Sequence, residues 1–391
     1  MSNLQDDGWD LSDLKYIKLT ERELENYRLE QGDILFNRTN SKELVGKCEV
    51  FREVGDWVFA SYLIRVRTDE ARLLPQFVSD FLGTAIGRLQ IDRFSRQIIG
   101  MTTINAEEIR ELQIPVPPVG QQKKLVAAMD KARAKRGKKL ADTDALLAGM
   151  DAFLLDAVGL TPPPRPRGVF AVQMTHLRGA LNVDRYRGLQ LEKGLAFSTS
   201  VGSSSTIVDV RCTPRNEAPD DYWDWVRIDD LPNQPWQIEG VRTELGKNIT
   251  GSFFEVQEND ILIARLGPTI LNAKFVLCPK TVRRTVASAE FLVLRPSVGY
   301  QPEAILWLLR TALYREIMYL RSRGATPSRF RLDASDLLSI PFPKIGSKIQ
   351  TAITTEVRRC HREAHRLRAE ANEGWEAAKL WFEEQLLGEV P

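Results

Sequence analysis

The chain repeats itself at an offset of 227 residues, which carries Asp33 onto Asp260. GDILFNRTN, from Gly32 to Asn40, lies over NDILIARLG, from Asn259 to Gly267, and keeps Asp33/Asp260, Ile34/Ile261, Leu35/Leu262 and Arg38/Arg265. The same offset pairs Trp9/Trp236, Lys47/Lys274, Ala60/Ala287, Ser61/Ser288, Pro75/Pro302, Thr84/Thr311, Arg88/Arg315 and the doublet Ser95-Arg96/Ser322-Arg323. Solenoid repeats recur every 20 to 50 residues or so, and this period is far longer. It describes a duplicated domain with its connector, and 391 residues leave room for two or three domains with cores of their own. Whatever one copy folds into, the other must resemble.

Composition removes several classes. Cys48, Cys212, Cys278 and Cys360 are far apart in sequence, without a C-x-x-C pair or clustered histidines, so no zinc site or disulfide framework is signalled. A reducing, cytoplasmic setting is expected. No apolar run reaches the length of a membrane span, and MSNLQDDGWD lacks the basic and apolar regions of a signal peptide. With 54 basic and 52 acidic residues the net charge is only +2, so binding to a polyanion would rest on local basic patches.

From Gln121 to Val158 the apolar positions Leu125, Met129, Ala132, Leu140, Leu147, Met150 and Leu154 fall mostly three or four apart. This predicts a helix roughly 55 Å long at about 1.5 Å per residue. TPPPRPR at 161–167 stops it. A second long helix is predicted from Ile353, Val357, Cys360, Ala364, Leu367, Ala371, Gly374, Ala378 and Trp381, whose steps of four and three form a heptad seam. Small residues in that seam favour close antiparallel packing of the two helices. IPVP (Ile114–Pro117) and IPFP (Ile340–Pro343) precede the helices as stiff exits. Val58–Thr68 and Thr285–Pro296 read as strands, and Pro75–Ile91 and Pro302–Leu320 as helices with proline in the first turn. Each copy is therefore mixed α and β.

Three strings carry a family resemblance: YIKLTERELENYRLEQGDILFNRTNSKELVGK (Tyr16–Lys47), IPVPPVGQQKKL (Ile114–Leu125) and CTPRNEAPDDYWDWVRIDDL (Cys212–Leu231). With them the chain resembles, over essentially its whole length, the specificity subunit of type I restriction-modification systems; Cys212 stands where that family usually has glycine. The resemblance implies an α+β fold: two similar mixed α/β target recognition domains separated by two long helices packed as an antiparallel coiled coil. The expected layout is a first recognition domain over 1–118, a long helix over 119–160, a proline-rich linker over 161–167, a second recognition domain over 168–344 and a second helix over 345–391. It also implies double-stranded DNA with a bipartite target, two methyltransferase subunits and, indirectly, restriction subunits as partners, with S-adenosylmethionine, ATP and Mg belonging to those partners and no cofactor bound by this chain. About 90 residues precede NDIL in the second copy against 31 before GDIL, and the offset sets Met1 opposite Ile228. The first recognition domain is thus expected to lack its opening third, beginning inside the strand that WVRIDDL forms in the second copy. The competing reading is a remnant or decoy that docks methyltransferase without reading a full site.

No catalytic constellation is evident. E-x-K is absent, and Asp13-Leu14-Lys15 stands without a supporting partner. Gly240–Lys247 has five residues between its glycines where a phosphate loop has four, and Asn248 replaces the metal-binding hydroxyl. His361 and His365 lie four apart on the second long helix, where a solvated face competes with a metal clamp. The DNA-contacting candidates lie on loops. Arg38, Asn40 and Lys47, with Arg265 and Lys274 opposite, bracket the turn after GDIL/NDIL, against the alternative of surface ion pairs. Arg321, Arg323, Ser328, Arg329 and Arg331 crowd SRGATPSRFR with few acids nearby in sequence, and Arg96, Gln97, Thr102 and Thr103 form the more neutral counterpart. If the two copies read different sequences, they should differ there. Thr213 and Arg215 belong to the family string, where Trp223 and Trp225 read as core. KARAKRGKK places six basic residues in nine, Lys131 to Lys139, either as a solvated face or along the phosphates of a DNA spacer.

Overall fold

A computed structural model describes residues 3–5, 8–9, 11, 14–98, 100–163, 191–192, 194–195, 197–231, 238 and 240–388. Asp13, Trp236 and most of the proline-rich linker, from residue 164 onwards, lie outside them. The chain divides into two compact units, Met1–Asp144 with Glu363–Pro391, and Ala145–Arg362.

In the first unit a small hairpin, β1 (Leu4–Gln5) with β2 (Gly8–Trp9), precedes a helix at Glu21–Tyr27 that Thr20 and Glu23 close with a capping box. The central sheet is antiparallel, with β3 (Ile34–Asn37) between β5 (Cys48–Val50) and β6 (Leu63–Val66). A separate ribbon joins β4 (Thr39–Asn40), β8 (Met101–Thr103) and β7 (Arg96–Ile98). The second unit has a four-stranded antiparallel sheet in the order β15 (Phe275–Leu277), β14 (Ile261–Ala264), β17 (Phe291–Pro296), β9 (Ser205–Ile207). A five-stranded mixed sheet adds β10 (Arg211–Cys212), β13 (Phe253–Val256), β16 (Thr285–Ala287), β11 (Tyr222–Val226) and β12 (Arg242–Leu245), in that order. Strand β11 ends at Val226, and Leu231 N–H closes a turn on the Ile228 carbonyl, so the expected WVRIDDL strand is corrected to Tyr222–Val226.

The repeat survives as register. Strand β3 pairs β5 through Ile34 and Val50, and β14 pairs β15 through Ile261 and Leu277. The residue before the shared aspartate is left-handed in both copies, with φ of +95° at Gly32 and +71° at Asn259, a conformation glycine and asparagine adopt most readily. That turn buries the carboxylates of Asp33 and Asp260, which are 2% and 1% exposed. Each accepts a backbone N–H three residues upstream, from Glu30 and Gln257, and a two-pronged arginine, Arg67 and Arg295 respectively. A second shared device sits in the first turn of each long helix. Gln122 accepts from Leu74 N–H and donates to the Arg72 and Pro117 carbonyls, while Gln350 accepts from Gln301 N–H and donates to Gly299 and Ile345.

The helix expected over Pro75–Ile91 is two, Pro75–Leu82 and Ala85–Phe94; that over Pro302–Leu320 is Pro302–Arg310 and Ala312–Arg321. The breaks come at the paired threonines. Thr84 Oγ1 donates to the Phe81 carbonyl and accepts from Gly87 N–H, and Thr311 Oγ1 donates to Leu308.

The long helices are Val119–Ala157 and Ser347–Leu387. Within the first unit they run antiparallel: Leu125 and Met129 share a core with Phe382, and Lys139 pairs with Glu370 at 2.5 Å. Within the second, Met150 and Leu154 share a core with Ile353, Val357 and Cys360. The expected seam holds to Ala371 and then shifts by a residue at two positions. Gly374 and Trp381 are exposed, while Trp375 and Phe382 turn inward. Phe382 packs on Phe77 at 5.5 Å and Trp375 lies 5.5 Å from the Arg133 guanidinium, so this end of the helix faces a module as well as a helix and needs a wider apolar stripe. His361 also departs from a solvated face, stacking on Trp307 at 4.6 Å, whereas His365 is exposed.

At the matching place in the first unit, Asp80 is buried against Arg133 at 2.5 Å. Burial pushes its carboxyl from 3.8 up to about 6, and Arg133 and Gln76 only partly oppose this. A folded-state value above the unfolded one favours the native state when the group is protonated. That contribution, on the order of 3 kcal/mol, is full below about pH 4 and is lost as pH rises through about 6. Wild-type stability measured against Asp80→Asn should therefore climb as pH falls from 7 to 4. A flat difference in denaturant titrations across that range would contradict this.

Candidate nucleic-acid interface

In the first unit the ribbon β4–β8–β7 gathers residues some 60 positions apart. Asn40, Thr102 and Gln97 stand opposite one another in one row, and Thr39, Thr103 and Arg96 in the next. Directly opposed residues on an antiparallel pair share a face. Gln97 and Arg96 are exposed, Asn40 and Thr103 half-buried, and Thr102 buried. Thr39 and Thr103 hydroxyls lie 3.2 Å apart, Asn40 Oδ1 accepts from Ser41 N–H, and Arg96 pairs with Glu108 at 2.7 Å. Arg38 enters the ribbon through its carbonyl, which accepts from Ile104 N–H, and its side chain is half-buried. Lys47, also half-buried, sits before β5 rather than on the ribbon.

The second unit builds the corresponding ribbon from isolated bridges. Leu266 and Arg323 both pair with Arg331, Arg323 and Arg331 exchange backbone bonds of 2.9 and 2.8 Å, and Leu332 N–H donates to the Arg265 carbonyl as Ile104 does to Arg38. The equivalent of Thr103 is thus Arg331, and that of Thr102 is Phe330. Ser328 and Arg329 lie on the exposed turn joining the two later strands, where Ser328 Oγ stands 3.2 Å from Thr326 Oγ1.

The expectation of few acids near these arginines is corrected by the tertiary structure. Arg265 pairs with Asp333 at 3.0 Å, Arg323 with Asp336 at 2.8 Å and Arg331 with Glu290 at 3.0 Å. Arg321 is drawn inward, with its Nε and Nη2 edge on Glu192 (2.7 and 2.5 Å) and Nη1 bonded to Ser339 Oγ and the Asp336 carbonyl, which leaves it no free edge. It is a structural arginine. Lys274 is also turned in, 3.3 Å from the Ile228 carbonyl. Thr213 and Arg215 belong to the five-stranded sheet's edge, not the ribbon. Thr213 caps a short helix, Pro214–Glu217, whose Glu217 accepts its N–H. Trp223 is core, and Trp225 is part-buried against Phe253 at 5.4 Å. Among the described residues no ion pair forms on the exposed Arg215 or Arg329.

The carboxylates that hold the ribbon arginines were not evident in the sequence. One signal was available: Asn105-x-x-Glu108 is a capping box, and Glu108 faces Arg96 as Asp336 faces Arg323. The basic run on the first long helix also sorts by face. Arg133 meets Asp80 and Asp130, Lys139 meets Glu370, and Arg136 is part-buried, whereas Lys131, Lys135 and Lys138 are exposed along one helical stripe. Gly240–Lys247 runs into strand β12 and a short 3-10 turn rather than a phosphate loop. Among the described residues no helix is long and apolar enough to cross a membrane.

No family model matches the chain. It is 28% identical over 125 residues to the EcoKI type I restriction enzyme specificity subunit of Escherichia coli K12, 31% of this chain and 26% of that protein. It is 30% identical over 116 residues to the StySPI specificity subunit of Salmonella potsdam, 29% of this chain and 25% of that one. A putative MjaX specificity subunit of Methanocaldococcus jannaschii matches at 24% over 127 residues, 32% of this chain and 30% of that one. Each match thus spans less than a third of the relative's length. In fold the likeness is wider: a chain from a solved structure of type I R-M system assembly and conformational transition superposes with a TM-score of 0.52 over 93% of this chain and 83% of that one, at 12% identity. Over about a third of its length the chain is thus similar in sequence to specificity subunits of type I restriction-modification systems, and over nearly all of it the chain shares the fold of a solved type I R-M component.

Proposed function

We propose that the chain is the sequence-specific DNA-recognition subunit of a type I restriction-modification complex, itself without catalytic activity. Its two recognition domains, 1–118 and 168–344, read the two halves of a bipartite target, and its long helices dock two methyltransferase subunits and, through them, restriction subunits. S-adenosylmethionine, ATP and Mg are assigned to those partners. The observation that carries this reading is the pair of ribbons. The strands leading into the ribbon are shared by both units, down to Asp33–Arg67 and Asp260–Arg295, yet the ribbon rows differ in chemistry, Thr102 and Thr103 in one and Phe330 and Arg331 in the other. A shared frame presenting different side chains, Thr103 on one ribbon and Arg331 on the other, is what two modules need to read different base edges. Both units carry a ribbon, which gives the remnant reading no support.

The purified chain with S-adenosylmethionine and DNA is expected to transfer no methyl group, and to direct methylation to one bipartite sequence once a partner methyltransferase is added. Methyl transfer by the chain alone, or methylation without sequence preference, would overturn the proposal. Changing Lys131, Lys135 and Lys138 together to Gln should weaken binding to every DNA alike and lower the salt slope by about 0.9 for each phosphate no longer neutralised. Changing Arg329 to Ala should cost about 1 to 3 kcal/mol on the preferred sequence only. An unaltered slope in the lysine variant would take the helix stripe out of the interface.

A further inference from the structure

We propose that Glu290 is a positioning residue that holds Arg331 end-on as a guanine-reading side chain of the second unit; this rests on the DNA-recognition reading above. Arg331 meets Glu290 along one edge only, Nε to Oε2 at 3.0 Å and Nη2 to Oε1 at 3.1 Å. That leaves Nη1 and the outer proton of Nη2 pointing away from the carboxylate, on a side chain 46% exposed. The free edge carries two donors side by side, the pattern that matches O6 and N7 of guanine in the major groove. Glu290 is itself anchored in the turn between β16 and β17: its carbonyl accepts from Arg265 N–H at 3.0 Å, and its own N–H reaches Ser288 Oγ. The backbones of both members are therefore held, Glu290 by the turn and its bond from Arg265, and Arg331 through its two bonds to Arg323.

Charge argues for base reading over phosphate binding. An arginine already paired with a carboxylate adds little net positive charge, so it releases few counterions and gains little from a phosphate, whereas its donor geometry is sharpened. The duplication supplies an internal control. Arg323–Asp336 has its equivalent in Arg96–Glu108, so that pair belongs to the shared scaffold. Arg331–Glu290 does not: its positions are held by Thr103 and Tyr62, since Arg38 N–H donates to the Tyr62 carbonyl as Arg265 N–H does to that of Glu290. Arginine and carboxylate are exchanged together, as expected of a reading group and its support.

Selection of bound sequences from random DNA, with the full chain and its Glu290→Gln, Glu290→Asp and Arg331→Ala variants, tests this at two salt concentrations. The expected result is one guanine in one half-site whose preference falls about 10-fold in Arg331→Ala and Glu290→Gln. It should recover in part in Glu290→Asp, with the other positions and the salt slope unchanged. A lower salt slope with unchanged base preference in Arg331→Ala would make the arginine a phosphate ligand and overturn the inference. So would a selective half-site that Glu290→Gln leaves intact. A wild-type chain that selects no sequence would overturn the DNA-recognition reading, and this inference with it.

Discussion

Arg295→Ala is expected to destabilise the second unit by about 3 kcal/mol, while Arg67→Ala costs the first unit distinctly less. Removing Arg295 strands the Asp260 carboxylate, 1% exposed, with the Gln257 N–H as its remaining donor among the described residues. Stranding a buried charge costs about 3 to 5 kcal/mol, and the lower end applies because the departing Arg295 side chain is 38% exposed and water can follow it. In the first unit Arg65 lies 4.0 Å from Asp33, and the corresponding position of the second unit is Val293. A second cation is therefore in reserve on one side and missing on the other. Asp260→Asn should be milder than Arg295→Ala, since it removes the charge that needs a partner. Hydrogen exchange resolved by unit would check the order. Equal loss of protection around Asp33 and Asp260 in the two arginine variants would refute the role given to Arg65.

Gln350→Ala should cost about 2 to 4 kcal/mol and act at the junction of the second long helix with its module. The side chain is 2% exposed and satisfies three backbone groups from two segments, the turn before Pro302–Arg310 and the IPFP exit. Truncation leaves the buried Ile345 carbonyl and the part-buried Gln301 N–H and Gly299 carbonyl without this partner, at about 1 to 3 kcal/mol for each group that water does not reach. Gln350→Glu is the sharper variant: it keeps the acceptor for Gln301 N–H but replaces two donors by an anion facing two carbonyls. It should be no better than alanine. Gln122→Ala is expected to do the same in the first unit. A shift in denaturation midpoint below that of an ordinary surface substitution, in both glutamine variants, would show that the prolines alone hold the junction.

Local chemistry explains how much of this fold is legible in the sequence. A glycine or asparagine ahead of a shared aspartate marks a left-handed turn, and Gly32 and Asn259 adopt it. Proline before an apolar stretch marks the starts at Pro75 and Pro302, and three- and four-residue spacing marks both long helices. The breaks at Thr84 and Thr311 are legible in principle, because a threonine retained at the same place in both copies marks an N-cap position, and both hydroxyls donate to a carbonyl three residues back. The seam fails at Gly374 and Trp381 because heptad arithmetic assumes that a helix faces only another helix, whereas Phe382 also answers to Phe77.

The sequence by itself determined that one α/β module occurs twice, each copy ending in a long helix, because backbone turns, caps and apolar periods act over a few residues. Only the tertiary structure decided which arginines are free. Arg321 finds Glu192 at a separation of 129 residues, Arg265 finds Asp333 at 68 and Arg331 finds Glu290 at 41. A charge is neutralised by whatever lies within a few ångströms of it, and that neighbour is set by strand pairing and not by distance along the chain.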